Sequence, residues 1–336
     1  MRVSPRKLLI ATFVALAGLA AVEFGARVIY AGLDFPHATE DPRNPFYRRA
    51  WPEFTTPVPP REGERTVIVM SNSQGFFRES ADGSKSYVPL LGDLLREAEP
   101  ERPTRVLNWS IDGGNSPEWI VLSARAAETE PDLIVVVSWI ANYTSRRLRR
   151  PLSYMISDVN QMAYEPEVRR YLSDRFLDAF DVQDPLGWLS VNSGLVRLRD
   201  RFVEPRHDRW SFVSVPPPPD IDLSKVPMTV RPWVDRSTLL LEELAGTLDR
   251  AVPDSRVLFV SMPVCGNALK PADWPRMRGF LPRCREILAD RPDIEMLEAI
   301  DVVDADLFYT PVHLNPEGHE VFARWLSPRI LERLPR

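Results

Sequence analysis

The sequence predicts an α/β fold, a doubly wound parallel sheet with helices on both faces. Short runs rich in β-branched residues alternate along the chain with segments that carry apolar residues at helical spacing. One of these runs, 132–137, has no polar alternation, which is typical of a parallel strand covered on both faces. Strand and helix in alternation favour a sandwich of three layers, helix on sheet on helix.

The first half of the chain supplies three strands and two helices. Residues 66–70 read Thr-Val-Ile-Val-Met, a β-branched run that indicates a buried strand. Residues 86–98 carry leucines and a valine at intervals of three and four, so they predict a helix that faces the sheet. A second strand follows at 105–108, a second helix at 118–127 and the third strand at 132–137.

The same alternation returns in the second half. The sequence predicts a helix at 237–251 and a strand at 256–261, where Val-Leu-Phe-Val is an uninterrupted apolar run. A helix at 275–289 leads to a last strand at 294–303, and a helix at 316–334 closes the chain. These elements extend the sheet begun in the first half.

The alternation is interrupted between the two halves. Residues 62–336 are expected to form one domain, and 143–233 are expected to be an insertion or lid within it, because no clean strand occurs there. A plain loop of that length is implausible inside a compact domain, so the insertion is predicted to be largely helical. Residues 36–61, which hold prolines and aromatic residues without a period, are predicted to be a juxtamembrane linker.

The first residues have the layout of a membrane-targeting segment. Arg2, Arg6 and Lys7 precede an apolar run at 8–22, and apolar character continues to residue 33. Counted over 8–33, the segment is long enough to cross a hydrocarbon core of about 30 Å.

We therefore predict a signal anchor over 1–35, with its positive flank in the cytoplasm. Glu23 and Arg27 are four residues apart and can pair on one face of that helix. The rest of the chain is then expected on the periplasmic side of the cytoplasmic (inner) membrane. Small residues at Ala15 and Ala17 leave a cleaved signal open as the alternative.

Composition excludes several functional classes. With 42 Lys and Arg against 47 Asp and Glu and no basic domain, the chain is not expected to bind nucleic acid. The sequence has neither the glycine-rich dinucleotide fingerprint nor a P-loop, and its His and Asp spacing indicates no metal site, so we expect no cofactor and no metal. Cys265 and Cys284 are too few for a disulfide framework, and a single bridge and two buried thiols both remain open.

Four residue types suited to acyl transfer stand close to strand ends. In open α/β sheets, ligands bind beyond the carboxyl ends of the strands. Ser73, Gly113 and Asn142 follow the first three strands, and His313 lies after the last strand. A hydroxyl can attack a carbonyl while an imidazole takes its proton, and N–H groups can hold the oxyanion that develops.

These positions resemble the four blocks of the SGNH family, the GDSL-like esterases and lipases. In chain order the blocks are Ser71-Asn72-Ser73, Asn108 with Gly113, Ala141-Asn142, and Thr310-Pro311-Val312-His313 followed by Leu-Asn-Pro-Glu-Gly. Each block alone is weakly specific, but their order and their places after strands fit the family.

The resemblance implies a flavodoxin-like SGNH fold and an ester-bond chemistry. It implies Ser73 as nucleophile and His313 as base, with the N–H groups of Ser73 and Gly113 and the side chain of Asn142 as the oxyanion hole. By analogy with tethered, exported members, the substrate is expected to be an acyl (acetyl) ester of a cell-surface or exported polysaccharide, hydrolysed or transferred. A membrane-bound acyltransferase is the expected protein partner. The alternative is a non-catalytic accessory protein that binds glycan or such a partner.

One position departs from the family. The acidic residue of its last block falls at Thr310, and a hydroxyl can orient an imidazole but does not stabilise imidazolium as a carboxylate does. Three interpretations stay open. Asp304 or Asp306 replaces the missing carboxylate, or a Ser–His dyad works with a carbonyl as its orienting group, or the domain only binds.

Overall fold

The structure, a computed structural model, describes residues 5–31, 60–76, 85–111, 113–144, 193–195, 230–291 and 293–335. Almost all of the predicted linker, 36–61, lies outside the described residues. Most of the predicted insertion, 143–233, does as well. Both therefore stay predictions.

A five-stranded parallel sheet forms the centre of the fold. Its strands are β1 Arg65–Met70, β2 Thr104–Asn108, β3 Leu133–Ser138, β4 Arg256–Ser261 and β5 Ile294–Leu297. Their order is β2-β1-β3-β4-β5, and every neighbouring pair is parallel. All residues of β1 and β3 are buried, as their unbroken apolar runs require. The predicted α/β fold with a parallel sheet is confirmed.

Helices cover both faces of this sheet. Apart from α1 Pro5–Ala31, whose large side chains are exposed, the helices are α2 Ser73–Phe76, α3 Tyr87–Ala98, α4 Ser116–Ala126, α5 Asp235–Ala251, α6 Trp274–Arg278, α7 Phe280–Ile287 and α8 Pro316–Leu331. Helices α3 and α8 pack against each other, while α4, α5 and α7 form a second group. The chain runs from β1 to one edge strand and then returns across β1 to β3, so the crevice of the sheet opens at the carboxyl ends of those two strands.

Two predicted elements are shorter in the structure. The last strand, expected over 294–303, ends at Leu297, because the N–H of Ala299 donates to the Ser261 hydroxyl (2.7 Å) instead of to a strand. The helix expected over 275–289 is broken at Gly279 into α6 and α7. Pro282 has no N–H to donate to the carbonyl of residue 278, which accounts for a break at this place.

A small hairpin not predicted from the sequence precedes α8. Strands β6 Phe308–Thr310 and β7 His313–Leu314 are antiparallel, and Thr310 lies opposite His313 in their register. Helix α8 then begins after Asn315, whose side chain accepts a hydrogen bond from Gly318 N (2.8 Å) and caps the helix. The hairpin and the cap fix where His313 enters the fold.

Helix α1 is the one helix in the described part of the chain that is long and apolar enough to cross a membrane. The apolar span covers Leu9–Ile29 with a mean hydropathy of 2.0, and its large side chains are exposed. A signal sequence has the same character. Glu23 and Arg27 pair at 2.9 Å, and the Glu23 carboxylate also accepts a hydrogen bond from the Ser193 hydroxyl (2.9 Å).

A fully buried histidine lies where α8 meets α3. The Nδ1 of His319 accepts a hydrogen bond from Tyr87 N (3.2 Å), and its ring stacks on the Tyr87 ring. Burial lowers the pKa of His319 to about 3, with the neighbouring His313 adding to the shift. The imidazole therefore stays neutral in the folded protein at any pH near neutrality.

We expect His319 to make the fold sensitive to acid. An unfolded chain takes up this proton near pH 6.5 but the folded one only near pH 3, so the stabilisation is complete above 6.5 and declines as pH falls towards 3. The slope from this one residue is at most about 1.4 kcal/mol per pH unit. Urea unfolding of the full chain in detergent should show a shallower loss of stability between pH 6.5 and 4 for His319→Gln than for wild type. Equal slopes would contradict the assignment, and Glu320→Gln, exposed on the same helix, is the control.

Candidate active site

The turn that carries Ser73 follows β1 directly and is closely packed. The Oδ1 of Asn72 accepts a hydrogen bond from Gln74 N (3.0 Å), which shapes the backbone around Ser73. A Cβ on Gly75 would collide with the Ser110 hydroxyl and lie 2.8 Å from Ser71 Cβ. Glycine is thus the residue that lets the first and second blocks approach so closely.

Ser73 and His313 meet although 240 positions separate them in the chain. The Oγ of Ser73 lies 2.6 Å from His313 Nε2. Ser73 opens α2, and His313 stands on β7, so the end of β1 and the hairpin before α8 bring the two side chains together. Both side chains are half-buried, which leaves the pair open to a substrate. This is the geometry of a nucleophile with an adjacent base.

The second ring nitrogen of His313 contacts Thr310. Thr310 Oγ1 lies 2.9 Å from His313 Nδ1 across the hairpin. When Nδ1 carries the proton, the hydroxyl accepts it in a hydrogen bond and Nε2 is free to accept the proton of Ser73. The hydroxyl can also donate to Nδ1, and then Nε2–H faces Ser73. A carboxylate, which only accepts, would select the first tautomer, whereas a threonine permits both.

Asp304 and Asp306 lie on the turn that leads into β6. Both are exposed. Their backbone carbonyls are engaged locally, that of Asp304 by Leu307 N (3.0 Å) and that of Asp306 by the side chain of Asn315 (3.4 Å). At Nδ1 of His313 the structure places Thr310, at the sequence position where the family has its acid.

The two remaining oxyanion-hole candidates are close to each other. Gly113 has a φ of +62°, in the left-handed region that favours glycine. Asn142 lies in a 3₁₀ turn, Ile140–Tyr143, and its Nδ2 donates to Gly114 O at 2.7 Å. Its Oδ1 accepts from Trp139 N (2.8 Å), which caps that turn. An amide nitrogen carries two hydrogens, so the second N–H of Asn142 is the one that an oxyanion would use.

Gln74 connects the nucleophile turn to two other segments. Its Nε2 donates to Pro263 O and to Val312 O, each at 2.8 Å, and the side chain is buried. Pro263 follows β4, and Val312 precedes His313. Gln74 was not among the site residues predicted from the sequence. The only available signal was its place beside Ser73 in a polar run at a strand end.

Asn108 performs a similar task in the second block. Its Nδ2 donates to Gly75 O (2.9 Å), and its Oδ1 accepts from Ser110 N (3.0 Å). Asn108 thus fixes the turn that carries Ser73 relative to the loop that leads to Gly113.

The two cysteines are buried free thiols, so no bridge joins them. Cys265 lies behind the hairpin, where its N–H donates to Pro311 O (2.9 Å). Burial raises the pKa of both thiols, which keeps them protonated and unreactive.

No family model and no curated protein matches the chain. Several solved structures are similar to the chain at low identity. A family two carbohydrate esterase from Clostridium thermocellum in complex with cellohexaose is 10% identical with a TM-score of 0.41, over 83% of this chain and 67% of the other. An acetyl xylan esterase from Butyrivibrio proteoclasticus is 9% identical with a TM-score of 0.41, over 82% and 65%. A carbohydrate acetylesterase family member from Sinorhizobium meliloti is 13% identical with a TM-score of 0.34, over 80% and 99%.

Structural similarity at these TM-scores and identities does not establish an activity for this chain. The strand order β2-β1-β3-β4-β5 is the one typical of SGNH hydrolases. The chain thus resembles the SGNH family in its fold and in the order of its four sequence blocks, and its chemistry has to be argued from its own residues.

Proposed function

We propose that the chain is an SGNH-type ester hydrolase or O-acyltransferase with Ser73 as nucleophile and His313 as base. The observation that supports this most directly is the 2.6 Å contact between Ser73 Oγ and His313 Nε2 at the crevice of the sheet. Two half-buried polar side chains that are 240 positions apart in the sequence meet there.

The proposed reaction has two steps. Ser73 Oγ attacks the ester carbonyl while His313 Nε2 takes its proton, and the tetrahedral oxyanion accepts hydrogen bonds from the N–H groups of Ser73 and Gly113 and from Asn142 Nδ2. The intermediate collapses to an acyl-serine, and the leaving alkoxide takes the proton from His313. Water or a second hydroxyl, deprotonated by the same imidazole, then takes the acyl group and frees Ser73. Hydrolysis and transfer differ only in this acceptor.

Thr310 is proposed to position His313 rather than to stabilise its charge. Its hydroxyl holds Nδ1 at 2.9 Å and so fixes the ring. A neutral hydroxyl contributes less than a carboxylate to an imidazolium, so we expect a slower enzyme than one with the family's acid. Asp304 and Asp306, exposed on the neighbouring turn, are not needed in this mechanism.

The proposed substrate is an acyl (acetyl) ester of a cell-surface or exported polysaccharide. Support comes from the basic N-terminal flank and the apolar helix Leu9–Ile29, which fit a domain held at the periplasmic face of the inner membrane. A membrane-bound acyltransferase is the proposed partner, since it would supply or share such a substrate.

A non-catalytic accessory role is the second candidate. The hydroxyl of Thr310 in place of an acid favours it, because a binding protein has no need of a stabilised imidazolium. The reactivity of Ser73 separates the two candidates.

We expect a fluorophosphonate to label Ser73 in the full chain in detergent. The same protein should hydrolyse p-nitrophenyl acetate. Ser73→Ala should abolish the labelling and lower kcat by at least about a thousandfold, since it removes the nucleophile. Ser255→Ala, at the opposite end of the sheet, is the control. Failure of the wild type to label or to turn over the ester would leave the accessory role.

Substitutions of Thr310 should separate its hydroxyl from its volume. Thr310→Val removes the hydrogen bond to His313 and should lower kcat about tenfold with little change in KM, whereas Thr310→Ser should keep most of the activity. Thr310→Asp should raise kcat, because a carboxylate selects the productive tautomer and stabilises the imidazolium. If all three variants match the wild type, Thr310 has no positioning role.

We expect α1 to remain as an uncleaved anchor. Alkaline carbonate extraction should leave the full-length protein in the membrane pellet, because the span contributes far more burial of apolar surface than a peripheral contact. A version in which Leu16 and Leu19 are changed to Arg should be released. Recovery of a shortened, soluble wild-type protein would indicate a cleaved signal instead.

A further inference from the structure

A cavity of about 410 Å³ lies next to the 3₁₀ turn that carries Asn142. It lies between the first residues of α5 and the junction of α6 with α7, and these helix ends stand at the carboxyl edge of the sheet. Its size is within the range of small-molecule sites, about 300–1,000 Å³. The proposed mechanism makes no use of it.

The floor of the cavity is continuous with the turn that holds Asn142. Ile140, which lines the cavity, and Asn142 belong to the same 3₁₀ turn, Ile140–Tyr143. Tyr143 packs its ring at 5.8 Å from that of Trp233 and 5.7 Å from that of Phe280, and both of those rings line the cavity. The cavity and the candidate oxyanion donor Asn142 therefore meet at one short turn.

Trp233 offers an aromatic surface that is fixed in place without a ligand. Its Nε1 donates to Thr238 Oγ1 (2.9 Å), and its ring packs against Phe280 at 6.0 Å. The side chain is only half-buried, so part of the indole faces the cavity. A surface that is already ordered costs little conformational entropy on binding.

The rim is polar but its charges are balanced. Arg276 pairs with Asp273 (3.0 Å), and Arg283 pairs with Glu286. Asp235 adds a negative charge at the start of α5. The rim therefore presents N–H donors and carboxylate acceptors without an excess of positive charge, which is a poor match for an anion.

A flat apolar surface ringed by donors and acceptors suits a neutral sugar ring. Such a ring has an apolar C–H face and hydroxyl groups that both donate and accept hydrogen bonds. We propose that this cavity binds a neutral pyranose unit of the ester-bearing glycan, next to the unit whose acyl group lies at Ser73. The proposal rests on the proposed function for its substrate and makes Trp233 the residue that selects glycan over other esters.

The cavity lies where the predicted insertion leaves and rejoins the core, which suits a site that determines substrate specificity. The predicted insertion, 143–233, joins the core at Tyr143 and Trp233, and these two side chains are in contact.

The binding test uses the full-length Ser73→Ala protein in detergent, so that no ligand is consumed. The calorimetric probes are acetylated and unmodified oligomers of xylose, glucose and mannose, with an oligomer of uronic acid for comparison. At least one neutral oligomer should bind, more tightly than the uronate. Trp233→Ala should weaken it at least tenfold and Trp233→Phe less, while Arg278→Gln, an exposed arginine of α6 outside the cavity lining, should bind as before.

Turnover measurements with Ser73 intact separate this proposal from the catalytic one. For Trp233→Ala, kcat/KM on the acetylated oligomer that binds should fall at least ten times further than on p-nitrophenyl acetate, with a smaller excess loss for Trp233→Phe and Arg283→Gln. If the protein binds a sugar through Trp233 but turns over neither substrate, the cavity proposal is supported and the proposed enzymatic activity is refuted. Three results would overturn the cavity proposal alone, provided that the protein turns over p-nitrophenyl acetate. These are that no neutral oligomer binds, that the uronate binds more tightly than the neutral oligomers, or that the variants lose equal activity on both substrates.

Discussion

The central sheet ends abruptly at the edge where Ser73 lies, and buried backbone groups beyond that edge need hydrogen-bond partners outside the ladder. Side-chain amides supply them. The Nε2 of Gln74 serves two carbonyls, those of Pro263 and Val312, and so holds the loop after β4 and the loop before His313 against the nucleophile turn. Asn108 and Asn142 do the same for Gly75 and Gly114. The positions of the candidate site residues are thus a consequence of satisfying buried backbone.

The hydroxyl of Thr310 illustrates how geometry and charge can be separated in one site. It meets His313 Nδ1 at the distance expected of a hydrogen bond, so it can orient the ring, although this neutral bond is weaker than one to a carboxylate. What is missing is the fixed negative charge and the strict preference for one tautomer. Catalysis in such a site would depend mainly on alignment and on the proposed oxyanion donors.

Much of the fold could be predicted because it rests on local patterns. The apolar runs of β1 and β3 identify central strands, and β4 was predicted to the residue. The last strand was predicted too long because the Ser261 hydroxyl, distant in sequence, takes the Ala299 N–H. The pairing of Ser73 with His313 was expected from strand-end placement and from the resemblance to the SGNH blocks. The bonds of Gln74 join segments about 190 and 240 positions away, which no local pattern records.

The free thiols of Cys265 and Cys284 bring a chemical liability to a chain proposed to work outside the cytoplasm. Nothing but burial separates them from oxidants, and the raised pKa values hold only while the fold is closed. Each excursion to an open state exposes two thiols to sulfenic acid formation or to incorrect pairing. The lifetime of the functional protein then depends on its unfolding rate and not on its equilibrium stability alone.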